Sequence, residues 1–163
     1  MKYDQQINTI LYATDLGSET RRVFRYAIDM ANYYKAEIVI LHVVEPMSNT
    51  ARAMINTYLS EGLSEELEKN SMKELLTEMK MRLKKFFEEE CDTDLKDSVF
   101  VKELTVVSGR PSEEILRIAD DQKADMIVMG KSSRRVRGMG VMGSSARRVS
   151  RHSTIPVLVI PIH

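Results

Sequence analysis

The chain has 163 residues, with 24 Lys+Arg against 24 Asp+Glu and a formal net charge of +0. At about 100–200 residues per domain, that length reads as one domain over residues 1–163. Hydrophobic residues at 43% with charged residues at 29% exclude wholesale disorder, and the balanced charge excludes a generally basic nucleic-acid coat. A single cysteine, Cys91, excludes an internal disulfide and points to a reducing cytoplasm. The opening Met1-Lys2-Tyr3-Asp4-Gln5-Gln6 has no apolar stretch behind its lysine and does not read as a signal peptide. The longest apolar run, Ile155–Ile162, falls far short of the ~20 residues of a membrane helix and contains Pro156 and Pro161.

Ile7–Thr14 predicts a strand rich in β-formers. Ser18–Lys35 sets Val23, Ala27, Met30 and Tyr34 on one helical face, with Ser18 as candidate N-cap. Glu37–Val44 is nearly unbroken apolar, as a strand buried on both faces requires. Glu45–Ser60 is polar and yields no element. Ser64–Glu90 predicts a long, half-buried helix with Met72, Leu75, Leu76, Met79, Leu83 and Phe86 on its inner side. Val99–Val107 is a third strand. Gly109-Arg110-Pro111 then opens a helix whose first turn carries Glu113 and Glu114, where the macrodipole favours acids. Asp125–Met129 is a fourth strand ending at Gly130, followed by a Gly/Arg/Ser loop, a short helix over Gly143–His152 and a last strand, Pro156–Ile160. This alternation specifies an α/β class: a doubly wound parallel sheet with helices on both faces. In such sheets ligands bind beyond the carboxyl ends of the strands. Attention therefore falls on Asp15, Val43–Glu45, Ser108-Gly109 and the loop after Gly130.

That loop runs Gly130-Lys131-Ser132-Ser133-Arg134-Arg135-Val136-Arg137-Gly138-Met139-Gly140-Val141-Met142-Gly143-Ser144-Ser145. Glycines that let backbone approach an anion, ending at a helix N-terminus, suit a phosphate. On composition alone, a surface loop closed by an ordinary serine N-cap fits equally well. Gly138–Gly143 spells GxGxxG, but seven residues separate it from its strand and no acidic residue follows ~20 positions later. Gly130-Lys131-Ser132 ends like a Walker A loop, but Asp125 stands where the first glycine is needed. Neither motif applies.

Over essentially its whole length the sequence resembles the universal stress protein family. The resemblance rests on Ile10–Asp15, Leu41–Pro46, Gly109–Pro111 with Glu113–Ile115, Asp125–Gly130 and Ser153–Ile160. It implies five parallel strands ordered 3-2-1-4-5, a cytoplasmic role in stress response, and a bound adenine nucleotide, ATP or its AMP and ADP relatives, with Mg²⁺ or Mn²⁺. The family's ATP-binding signature, Gly-x2-Gly-x9-Gly-Ser/Thr, maps to Gly130, Ser133, Gly143 and Ser144, with Ser133 replacing the second glycine. Asp15 would lie near the ribose or metal and the Val43 backbone against the adenine edge. Gly130, Gly143, Ser144 and Ser145 would hold the phosphates; Met129, read from its own side chain rather than from the resemblance, fits either an adaptable pocket wall or plain core packing. Ser133 either obstructs this site or donates its hydroxyl to a phosphate. The resemblance also implies a homodimer joined through the edge strand Pro156–Ile160, and an unidentified downstream protein partner. An alternative is the same fold with a vestigial site, acting as a dimeric interaction protein.

Three further expectations complete the reading. No residue is evident as a base to activate water, so hydrolysis is at most very slow. The histidines share no metal-like spacing, His42 reads as strand-end packing, and Cys91 has no nearby histidine. Thr14–Thr20 loosely resembles a flavin-phosphate loop, though the chain has no Trp to stack on a flavin. The zero net charge also hides an asymmetry. Lys131, Arg134, Arg135, Arg137, Arg147, Arg148 and Arg151 lie between Gly130 and His152 without one acidic residue, leaving 17 basic against 24 acidic residues elsewhere. That excess suits a small polyanion.

Overall fold

The computed structural model describes residues 6–17, 19–91, 100–131 and 141–162. Five parallel strands form one sheet in the order β3-β2-β1-β4-β5: β1 (Thr9–Thr14), β2 (Glu37–Val44), β3 (Val101–Ser108), β4 (Met126–Gly130) and β5 (Val157–Ile160). The helices are α1 (Thr20–Tyr34), α2 (Asn49–Asn56), α3 (Glu61–Glu90), α4 (Pro111–Asp121) and α5 (Ser144–His152).

Side-chain alternation along the central strands sends residues to two separate cores. On one face Ile10 and Tyr12 of β1 meet Ile38 and Ile40 of β2, covered by Val23, Phe24, Ala27 and Ile28 of α1 and by Leu83 of α3. Phe24 organises this layer, with ring centroids 5.6 Å from Tyr12 and 5.3 Å from Phe86. On the other face Leu11, Val39, Leu41, Ile127 and Met129 meet Ile115 and Ile118 of α4 and Val149 of α5. Each fully buried side chain of this size stabilises by about 1.5–3 kcal/mol relative to exposure. The chain turns one way after β1 and the other way after β4. That opens a crevice at the carboxyl ends between them.

Several boundaries differ from the sequence reading, each for a local reason. β1 starts at Thr9 rather than Ile7, because the N–H groups of Asn8 and Thr9 both donate to the Asp125 carboxylate (2.8 and 3.0 Å). Helix α1 starts after Glu19, which supplies no side-chain cap; Ser18, the expected N-cap, lies outside the described residues. β5 excludes Pro156, which has no N–H to donate to a ladder. β3 begins at Val101 and extends to Ser108; Val99 lies outside the described residues.

The polar 45–60 stretch contains α2, capped by Ser48 Oγ accepting from Ala51 N–H at 3.2 Å. It buries no residue of its own and is lashed to α3 by Arg52–Glu68 (2.7 Å) and by the Ser64 hydroxyl donating to Asn56 Oδ1. Helix α3 begins at Glu61, earlier than expected. Of its expected inner stripe only Leu83 is fully buried; Met72, Leu75, Leu76, Met79 and Phe86 are half-buried. Thirty helical residues span roughly 45 Å, and the eight residues of β3 only about 26 Å. The N-terminal part of α3 therefore outruns the sheet that would bury it.

Candidate functional site

A cavity of about 620 Å³ opens at the carboxyl ends of β1, β2 and β4. Seven of the eight residues expected at a ligand site line it: Asp15, Val43, Met129, Gly130, Gly143, Ser144 and Ser145. Ser133, the eighth, lies outside the described residues. Leu41, Val43, Pro111, Ile115 and Met129 supply apolar walls, and Lys131 with the start of α5 supplies a polar end.

The polar end is built from backbone. Gly143 is the N-cap of α5 and, lacking a side chain, gives the helix no side-chain cap, while Ser144 and Ser145 lie inside the helix. Ser144 and Ser145 are therefore not capping residues, contrary to one expectation for them. Gly143 N–H donates to the Lys131 carbonyl at 2.7 Å, which closes the base of the loop against the end of β4. The first-turn N–H groups of a helix have no intrahelical acceptor, and with the macrodipole they favour an anion. Gly130 has an additional reason to lack a side chain: a Cβ there would overlap Ile162 Cδ1 and sit 3.4 Å from Val23 Cγ2.

Asp15 does not cap α1. One carboxylate oxygen accepts from Gly17 N–H at 2.9 Å, an Asx turn that holds the side chain at the mouth of the cavity. The preceding residues are tied down in the same way. The Thr14 hydroxyl accepts from Leu16 N–H at 3.1 Å and donates to Thr20 Oγ1 at 3.5 Å. Of the hydroxyls in the flavin-type stretch, those of Thr14 and Thr20 are thus bonded to each other. Tyr12 is fully buried and its hydroxyl donates to the Thr20 carbonyl at 3.1 Å. Burial pushes this phenol well above the ordinary tyrosine range.

His42 is more than strand-end packing. Its Nδ1 lies 2.8 Å from the Thr14 carbonyl. A carbonyl can only accept, so Nδ1 carries the proton. This bond joins the ends of β1 and β2 at the cavity. Sequence reasoning also missed Thr20 and Ile162 as lining residues. Ile162 follows the last strand and carries no local signal. Leu16 adopts a left-handed conformation (φ 54), rare for a branched side chain without glycine's freedom.

A doubly wound α/β sheet with a helix N-terminus at its switch point defines a class of proteins that hold small ligands in that crevice. The chain belongs to the universal stress protein family, whose model matches residues 6–161. It is 33% identical over 155 residues to universal stress protein MJ0577 of Methanocaldococcus jannaschii, covering 93% of each chain. A solved structure of MJ0577 matches with a TM-score of 0.67 at 28% identity, over 97% of this chain and 98% of that one. A universal stress protein in complex with cAMP matches with a TM-score of 0.56 at 20% identity, over 96% and 98% of the two chains. One from Archaeoglobus fulgidus in complex with dAMP matches with a TM-score of 0.50 at 16% identity, over 94% and 97%. Those last two likenesses show the fold. Among the described residues no helix is long and apolar enough to cross a membrane.

Proposed function

We propose that the chain is a cytoplasmic, homodimeric module of stress response that binds an adenine nucleotide, ATP or its AMP and ADP relatives. The observation that carries this reading is one cavity lined both by the start of α5, where Gly143 offers no side-chain cap, and by the apolar residues Leu41, Val43, Ile115 and Met129. The α5 N–H groups with Ser144, Ser145 and Lys131 take the phosphates. The slot between Leu41, Ile115 and Met129 takes the purine, and Asp15 faces the ribose. Two relatives of the same fold, solved with cAMP and with dAMP, support a purine nucleotide as the ligand class.

Mg²⁺ or Mn²⁺ would enter with the phosphates. Among the described residues no three His, Cys, Asp or Glu come together, so Asp15 would contribute one carboxylate and the phosphates the remaining ligands, a common arrangement for Mg²⁺. The protein groups described here bind and orient a nucleotide, and any hydrolysis would be at most very slow. The edge strand β5 supports a dimer across a two-fold axis, since among the described residues no strand pairs with its outer side. A second reading, a vestigial site in a dimeric interaction protein, is favoured by Ser133 in place of the signature glycine.

One experiment separates the two readings. The purified chain is denatured, released nucleotides are identified by mass, and refolded or nucleotide-free protein is titrated calorimetrically with ATP and Mg²⁺. Released adenine nucleotide or a saturating heat supports binding. Neither, at millimolar ATP, leaves the vestigial reading standing.

A further inference from the structure

We infer that Thr14 is a positioning residue for base selection: by taking the Leu16 N–H, its hydroxyl keeps the Val43 carbonyl unpaired for the exocyclic amine of a 6-aminopurine. The inference rests on the nucleotide reading above and concerns how the chain tells one purine from another.

Backbone groups alternate in direction along a strand. On β2, odd residues face β1: Glu37 N–H donates to the Asn8 carbonyl at 2.9 Å. Even residues face β3: Ile38 N–H donates to the Phe100 carbonyl at 2.9 Å, and the Val44 carbonyl accepts from Gly109 N–H at 3.0 Å. The Val43 carbonyl therefore points to the β1 side, beyond Thr14, which is paired with His42. On β1 the parity is complementary. Asn8 faces β2, whereas the Thr9 carbonyl accepts from Asp125 N–H on the β4 side at 2.8 Å. Leu16 is the next residue whose N–H would face β2, and a continued ladder would give that N–H to the Val43 carbonyl.

The chain departs from that ladder. Leu16 N–H goes to Thr14 Oγ1 at 3.1 Å, Leu16 turns left-handed (φ 54), and Gly17 N–H goes to Asp15 Oδ1 at 2.9 Å. A sparsely populated backbone state persists only where its surroundings enforce it, and it clusters at functional sites. Here the enforcement is visible. Thr14 is buried and its hydroxyl donates to Thr20 Oγ1, while the Thr14 carbonyl accepts from His42 Nδ1. Val43 lines the cavity, and the strand parity above aims its carbonyl past the end of β1, where the proposed purine would meet it. The 6-amino group of adenine can donate to it. The 6-oxo group of hypoxanthine can only accept, which sets two carbonyl oxygens against each other.

The test is calorimetric titration of the full chain with ATP and with ITP, each with Mg²⁺. ITP keeps the ribose and triphosphate and changes the base edge. Wild-type protein should bind ATP about tenfold more tightly than ITP, as expected for one unpaired buried polar group. Thr14→Val frees the Leu16 N–H to take the Val43 carbonyl. It should weaken ATP about tenfold and leave ITP within about twofold, collapsing the ratio; Thr14→Ser should restore it. A Thr14→Val protein that keeps the wild-type ratio overturns the inference. Thermal melts establish that the variant is folded, and Thr14→Ala replaces it if it is not. Wild-type protein that binds ATP and ITP equally overturns this inference alone. Wild-type protein that binds neither overturns the nucleotide reading and this inference with it.

Discussion

Adding one methyl group at Gly130 tests how the cavity is held together. A Cβ on Gly130 would overlap Ile162 Cδ1 and stand 3.4 Å from Val23 Cγ2, the first contact lying well inside the ~3.5–4.0 Å at which carbon atoms attract. The Val23 contact is at ordinary van der Waals distance and needs no adjustment, so the strain falls on Ile162. Ile162 is half-buried and must swing out or drag the end of the chain. Overpacking of this kind costs about 1–3 kcal/mol, so Gly130→Ala should lower the melting temperature by about 3–9 °C for a chain of this size. The displaced Ile162 side chain also borders the ligand cavity, so ATP affinity should fall with stability. A double-mutant cycle isolates the cause. In an Ile162→Ala background, the Gly130→Ala cost should shrink by about 1 kcal/mol, because the clashing methyl is gone. Urea unfolding of the four proteins measures each corner. Additivity within about 0.5 kcal/mol would refute the packing account and leave ligand approach as the only reason for glycine.

Two further substitutions address the core and the phosphate end. Tyr12→Phe removes the donor to the Thr20 carbonyl and should cost about 1–3 kcal/mol. Because burial raises the folded-state phenol pKa, the stabilisation it gives is fully present below the unfolded value of about 10 and is lost as pH rises beyond it. Urea midpoints should therefore decline more steeply between about pH 9 and pH 11 in wild type than in Tyr12→Phe; parallel curves would refute the burial argument. Gly143→Val places a branched side chain in front of the first turn of α5. The backbone there (φ −61, ψ 155) suits valine, so the fold should survive a capping loss of about 1 kcal/mol. ATP affinity should fall by more than about tenfold through loss of phosphate contacts. Unchanged affinity would mean the phosphates bind elsewhere.

The parallel sheet was legible because its strands announce themselves. Ile38–Leu41 is buried on both faces and reads as an unbroken apolar run. The two cores follow from side-chain alternation once the strands are placed. Helix α2 was not legible because it is short and no residue of Asn49–Asn56 is buried; the one apolar group, Ala51, Met54 and Ile55, is too brief to stand out from a polar stretch. Its cap, Ser48, is a signal that could have found it. The apolar stripe of α3 misled for a related reason: periodicity says which side of a helix turns inward, not whether anything lies opposite. At the site, a stretch such as Gly130–Ser145 marks where backbone approaches a ligand. It says nothing about Ile162, which reaches Gly130 only through the tertiary fold.

The same reasoning explains why a motif of glycines and serines finds this site only weakly. In the proposed mode of binding, the groups that meet the ligand at its two ends are main-chain ones: N–H groups of the first α5 turn and the Val43 carbonyl. Every residue type except proline carries both groups, so residue identity matters indirectly, through what steers the backbone. Gly143 does so by ending the loop without a side-chain cap. Thr14 does so by intercepting the Leu16 N–H, and His42 by bracing the Thr14 carbonyl. The decisive sequence signals then lie partly outside the glycine-rich loop, at Thr14 and His42, where hydrophobic patterning reads only the end of a strand.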